Sequence, residues 1–446
     1  MSNVSIIAHG SRLTAHGSRV ISYFSYLATF PVLNVLLFPV KVLYHVIRHP
    51  YNTIIANNVQ RLRRIKYLRQ EQSGSSHGKF SFSQVSHYYF GNAGDTVLSK
   101  CVRLCFSKFF DVKGWNMIYP HERFTRRTTD GINHTNMLII GGGGMFMRAS
   151  KAVEASAKGY RTSGWQWALT KERLARINVP VAVFSCGYNF FRGTQGTELF
   201  RESMAELARR SVFFGLRNHG SVRALQNILP EELRSKITYQ PCTTTIIRQL
   251  YGENLPEHRE KSGKCVALNM ADDMSYERFG DNKQLILEQA AKAAKRIEQK
   301  GYRIFYVCHS DADLFMLPYL RAENVCFEVR NFTRELPYSI IDFYDSMDIV
   351  IGMRGHTQLI PFGVNTEILT LGSHDKMLWF LEDIDASDWY VEMSSDPANL
   401  CDKILDRFEY IHVKNPGETH ERLISQQKKL WDITQSNMEF LRGILS

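Results

Sequence analysis

The feature that most restricts the fold is a repeated pattern of strand exits. Short apolar runs end abruptly in glycine or a charged residue and give way to helical stretches. SQVSHYYF leads into GNAGD and a helix over 96–110; NMLII runs into four glycines; VPVAVFSC ends at Gly187. An amphipathic helix over Glu198–Arg210, then SVFFGLR and KITYQP, complete a first set. The pattern restarts at KCVALNMADD, with a long helix over 282–300 capped by Gly301, then YRIFYVCH, NVCFEV, DIVIGMRGH and TEILTLG. Strands alternating with helices in this way predict parallel βα units. Two successive sets predict an α/β fold of two Rossmann-like domains facing across a cleft. Open sheets of this class bind ligands at the carboxyl ends of their strands, so function is sought at the exits.

The predicted organisation is an N-terminal extension and linker over 1–78, Rossmann-like domains over 79–256 and 257–400, and C-terminal helices over 401–446. The boundary near 78 rests on the polar run EQSGSSHG, and the next on a proline-rich break near Pro256. With 44% hydrophobic and 22% charged residues in 446, the chain has ample core material, which excludes a disordered or fibrous class. Its eight cysteines show no metal-type spacing, so buried free thiols in a reducing cytosol are expected and no metal is assigned.

Net charge is +11, yet the first 70 residues hold nine Lys/Arg and no acid, and Glu71 is the first carboxylate. The remainder is close to neutral, which argues against nucleic-acid binding. Residues 20–40 carry no charge and lie between Arg19 and Lys41. That length matches the roughly 20 residues of a membrane span, but Pro31, Pro39 and Asn34 interrupt it. Two readings stay open. One is a helical segment lying in the membrane plane, with Arg61, Arg63, Arg64, Lys66 and Arg69 facing anionic headgroups; the other is a helical hairpin packed on the body.

Several exits could carry chemistry. Asn92, Gly94 and Asp95 follow the first strand; Asp95 either accepts N–H bonds at a helix start or faces the cleft as a base. Gly141, Gly142, Gly143 and Gly144 let the backbone approach an anion, or merely make a tight turn. Arg217 ends SVFFGLR, four residues before Ser221, and its guanidinium suits a carboxylate, a phosphate or a surface ion pair. In the second half Arg354 and His356 leave DIVIG, supplying a fixed cation and a group able to exchange protons near neutrality. Lys376 follows TEILTLG. Together these exits describe a cationic cleft for an anionic small molecule.

In this order the residues resemble the polysaccharide pyruvyl transferase family. The likeness runs from Asn92–Asp95 through Ile140 with its four glycines, Gly215-Leu216-Arg217 with Ser221, and Asp348 through His356, to Lys376. Two departures stand out. Asn218 occupies a place where the family often has an acid, and Pro241-Cys242-Thr243-Thr244 replaces a common Asp-Pro. The resemblance implies a GT-B-like pair of domains and transfer of pyruvate from phosphoenolpyruvate to two hydroxyls of a sugar. The product would be a pyruvate ketal on a surface polysaccharide or its precursor, lipid-linked precursors included.

Under that implication Asp95, Arg217 and His356 are the catalytic candidates. Asn92, Gly94, the four glycines, Ser221, Arg354 and Lys376 are the substrate-binding candidates. Phosphoenolpyruvate is a substrate, and no separate cofactor is expected. The expected location is the cytoplasm, at the inner face of the cytoplasmic membrane. Two alternatives are a GT-B glycosyltransferase with a nucleotide-sugar donor and a non-catalytic membrane-associated assembly factor. Asp272, Asp273, Asp311 and Asp313 lie on loops without a surrounding ligand set that would make a DxD-type metal site.

Overall fold

A computed structural model of the chain describes residues 77–88, 91–121, 124–147, 160–190, 196–255, 264–372 and 374–446. The N-terminal extension, including 20–40, lies outside the described residues. So does the break near Pro256.

The first lobe comprises β1 (Phe80–Val85), α1 (Ala93–Phe109), β2 (Val112–Ile118), α2 (Arg126–Asn133), β3 (Met137–Ile140), β4 (Gly143–Phe146), β5 (Val181–Tyr188), α3 (Glu198–Arg210), β6 (Ser211–Leu216), α4 (His219–Gln226) and β7 (Ile237–Tyr239). Its strands lie parallel in the order β2-β1-β3-β5-β6-β7, with β4 beside β5. Every residue of β3 and β5 is buried. That is why these runs are continuous rather than alternating: helices cover both faces of a parallel sheet.

The second lobe repeats the scheme with β8 (Cys265–Asn269), α5 (Lys283–Gln299), β9 (Arg303–Cys308), β10 (Phe327–Asn331), α6 (Pro337–Asp345), β11 (Ile349–Gly352), α7 (His356–Gly363), β12 (Glu367–Gly372), α8 (Asp375–Asp383) and β13 (Tyr390–Glu392). The parallel order is β10-β9-β8-β11-β12-β13. Two doubly wound sheets of this kind are the expected GT-B-like pair. In each, the chain reverses direction across the sheet beside its first strand, between β1 and β3 and between β8 and β11. The crevice at such a reversal is where open α/β sheets take ligands.

Helices α9 (Leu400–Phe408) and α10 (Pro416–Leu445) close the chain. The long α10 returns to the first lobe. Trp431 packs on Phe109 at 5.8 Å between ring centroids, and Asn437 Nδ2 donates to the Tyr239 carbonyl at 2.9 Å. A second tie joins α4 to α8: a side chain at Gly220 would begin 2.0 Å from the Trp379 indole. The Trp379 indole therefore packs directly on the α4 backbone at Gly220.

All eight cysteines are free thiols, and Cys101 and Cys105 are buried one turn apart on α1. Among the described residues no helix is long and apolar enough to cross a membrane.

Candidate active site

Both sheet reversals open on one cavity of about 220 Å³. The first lobe contributes His87, Asn92, Asp95, Gly144, Gln166, Asn189 and Arg217 to its wall; the second contributes Asp273, Arg278, His309, Arg354, His356 and Lys376. Two backbone bonds seat the β1 exit against the second lobe: Gly91 N–H donates to Thr333 at 2.9 Å and Ala93 N–H to His309 at 3.0 Å.

Asn92 starts α1. Its Oδ1 accepts the Gly94 N–H at 3.1 Å, which begins the helix three residues earlier than the apolar pattern predicts. Asn92 is therefore the N-cap, and Asp95 stands in the first turn with its carboxyl on the cavity wall. A Cβ at Gly143, which has φ of +106°, would lie 3.6 Å from Asp95 Oδ1, so the glycine turn flanks that carboxyl. Gly141 and Gly142 sit beneath the cavity rather than on its wall. A Cβ at Gly141 would fall 1.9 Å from the Phe184 carbonyl, and one at Gly142 would press on Leu98. Their glycine identity serves packing of the turn; Gly144 alone of the four is exposed to the cavity.

Arg217 follows β6 and is 7% exposed. A side chain at Gly187 would begin 2.4 Å from its Nε, so the β5 exit leaves room for the guanidinium. Among the described residues Arg217 forms no ion pair, and its positive charge faces the cavity. Asn218, at the family's acidic position, caps α4: its Oδ1 accepts the Ser221 N–H at 2.7 Å. Ser221 does not line the cavity. Its buried hydroxyl accepts the Tyr188 N–H at 3.1 Å and holds the end of β5.

In the second lobe Arg354 is tied down. Its Nε donates to Asp313 Oδ2 at 2.9 Å, and its Nη2 reaches Asp313 Oδ1 at 2.5 Å and Asp273 Oδ1 at 2.8 Å. Asp313 is fully buried and also accepts the His309 N–H at 2.9 Å. This fork-on-carboxylate pairing fixes the β11 exit and leaves Arg354 little freedom to clamp a ligand. Asp273 also pairs with Arg278 at 2.9 Å. Asp272 pairs with Lys283 at 2.5 Å, and Asp311 accepts from Asn331 at 2.9 Å. Protein partners thus occupy all four loop aspartates.

His356 opens α7 with its ring buried and its Nε2 without a partner among the described residues. His309 has the same character: Nε2 lies 2.6 Å from the Tyr344 hydroxyl, while buried Nδ1 has no partner among the described residues. Lys376 Nζ donates to Asn189 Oδ1 at 2.6 Å across the lobes.

The charges interact strongly. Burial, with Arg217, His309, Lys376 and Arg354, holds His356 well below the usual imidazole range. Burial and Arg354 push His309 down to about 3, so both rings are neutral near pH 7. Burial, Arg217 and Arg278 depress Lys376 well below the lysine range. Burial raises Asp95 despite the pull of His87, Arg217, Arg354 and Lys376. Burial alone would raise Asp273 too, but Arg278 and Arg354 overcome it and hold that carboxyl low. A site in which cations suppress one another is poised for an anion, whose arrival would relieve the repulsion.

The family model for polysaccharide pyruvyl transferase matches residues 92–375, from the Asn92 cap to the residue before Lys376. The chain belongs to this family. The polysaccharide pyruvyl transferase match thus runs from the exit of β1 through β12 and takes in most of the residues that wall the cavity. No curated protein matches the chain significantly. Similar solved structures include UDP-GlcNAc 2-epimerase from Neisseria meningitidis bound to UDP-GlcNAc, at 10% identity over 81% of this chain and 100% of that one, TM-score 0.47. A glycosyltransferase from Rickettsia africae has 10% identity over 82% of this chain and 99% of that one, TM-score 0.48.

His87, Gln166, Asn189, Asp273, Arg278 and His309 were not singled out as site residues from sequence. Asn189, Asp273 and His309 follow strands β5, β8 and β9, so the same exit rule extends to them. Gln166 and Arg278 carry no such signal.

Proposed function

We propose that this polysaccharide pyruvyl transferase moves the pyruvyl group of phosphoenolpyruvate onto two hydroxyls of one sugar, forming a ketal and releasing phosphate. One observation carries the reading: Arg217 from the first lobe and Lys376 from the second converge on a cavity that also holds Asp95 and buried, neutral His356. Phosphoenolpyruvate presents a carboxylate and a phosphate, and two separated cations can hold both ends. Arg278 adds a third positive charge beside Asp273.

The chemistry follows from the charges. Burial chiefly, and the neighbouring cations in addition, keep His356 neutral; a doubly ionised donor offsets both by attraction, so the ring gains a proton as the donor binds. His356 then delivers that proton to the methylene carbon, making C2 electrophilic. Asp95, with its raised affinity for protons, accepts one from the first sugar hydroxyl as its oxygen bonds to C2. Phosphate departs with the C–O electron pair, and the second hydroxyl adds to C2, losing its proton to that phosphate and closing the ketal. Arg354, held by Asp313, serves chiefly as a positioning residue for the α7 start.

The test is incubation of the full chain with phosphoenolpyruvate and a panel of glycosyl acceptors, following inorganic phosphate and the ketal product. Arg217→Ala and His356→Ala should each lower turnover by about a hundredfold or more in folded protein. Near-normal rates in both would remove them from the mechanism. The apolar, basic N-terminal sequence suits an acceptor at an anionic membrane surface. Cosedimentation of the full chain with anionic but not neutral vesicles is the expected behaviour, and equal binding to both would count against it.

A further inference from the structure

We propose that the rings of His87, Tyr119 and His121, at the carboxyl ends of β1 and β2, hold a neutral pyranose ring of the acceptor beside Asp95. The inference rests on the pyruvyl transfer reading above and names where its second substrate sits.

The three rings form one cluster. His87 meets Tyr119 at 5.3 Å and His121 at 5.1 Å, and Tyr119 meets His121 at 5.4 Å, all edge-to-face. Tyr119 is half-buried and His121 exposed, so the cluster presents ring surface to solvent. It is continuous with the reaction cavity, because His87 lines that cavity together with Asp95. Gln166, on the same wall, bonds the His87 Nε2 and fixes its ring.

The chemistry of the two ends differs. Arg217, Arg278 and Lys376 gather at the end suited to the anionic donor. The ring end offers flat apolar faces rimmed by imidazole and phenol groups, which match the C–H face and the hydroxyl rim of a sugar. Partial desolvation and neighbouring His87 push His121 down to about 4, so it stays uncharged at working pH and favours a neutral ring.

The experiment compares the wild-type chain with Tyr119→Ala, His121→Ala and Tyr119→Phe, using methyl pyranosides of glucose, galactose and mannose with phosphoenolpyruvate. The expected result is an acceptor KM raised about tenfold in each alanine variant and by a smaller factor in Tyr119→Phe, which keeps the ring face and loses the phenol, with unchanged donor KM and unfolding midpoint. Wild-type acceptor KM in both alanine variants would overturn the assignment. If the wild type releases no phosphate, the transfer reading fails and saturation-transfer NMR with the same pyranosides decides separately. Sugar signals seen with wild type and lost in the alanine variants would support the site. Signals retained in the variants, or absent from the wild type, would overturn it.

Discussion

Gly94 of the first lobe lies against the imidazole of His356 in the second: a Cβ there would begin 2.4 Å from Nδ1. Hydrogen at that position lets the start of α1 and the start of α7 share one wall of the cavity. Gly94→Ala should leave a folded protein, destabilised by about 1–3 kcal/mol through overpacking. Displacing the ring by even a fraction of an ångström should cost turnover heavily, by up to about a hundredfold. Paired denaturant titrations and phosphate-release rates check both halves, and unchanged turnover would show that His356 needs no such placement.

Donor binding should draw protons from solution. Burial and neighbouring cations depress His356 and Lys376 in the empty site. A bound dianion raises both affinities, so between the depressed and restored values the complex holds more protons than the free protein. Calorimetric titration with phosphoenolpyruvate near pH 7.5, in buffers of low and high ionisation enthalpy, should show net uptake. Proton release would contradict this charge assignment.

The lobes are tied by a pH-sensitive contact. His219 Nδ1 at the start of α4 meets Asp383 Oδ1 at the end of α8, 2.9 Å apart. The hydrogen bond to Asp383 raises the His219 affinity for protons against the opposing effects of burial and Arg223. Burial also raises Asp383, despite its bond to His219. Both groups therefore bind protons more readily in the folded state. The His219 contribution is fully present below its unfolded value near 6.5 and is lost as pH climbs through the raised folded value. Half exposure of His219 and solvent screening keep the effect below about 1 kcal/mol. Denaturant midpoints from pH 6 to 9 should fall more steeply in the wild type than in Asp383→Asn; parallel profiles would dismiss the contact as a pH-dependent tie.

The architecture and half of the cavity wall could be read from sequence because both depend on local pattern. An apolar run stopped by Asp, Arg or His marks a strand exit, and Asp95, Arg217, Arg354 and His356 all stand at such exits. Partnerships across long separations could not be read. Arg354 is bound by Asp313, 41 residues earlier, and so becomes a positioning group rather than a free cation. Ser221 stands in a motif with Arg217, yet its hydroxyl turns inward to the backbone of Tyr188. The return of α10 to the first lobe depends on pairs such as Gln240 with Thr434, nearly two hundred residues apart. No periodicity marks such a crossing.

The central claim is that cations from both lobes hold one donor anion. Equilibrium binding of phosphoenolpyruvate to the wild type, Arg217→Ala and Lys376→Ala tests it most directly. Each lost charge-assisted contact is worth about 1.5–3 kcal/mol, so each variant should bind at least about tenfold more weakly while keeping its unfolding midpoint. Equal affinity in all three proteins, or no binding to the wild type, would contradict the account.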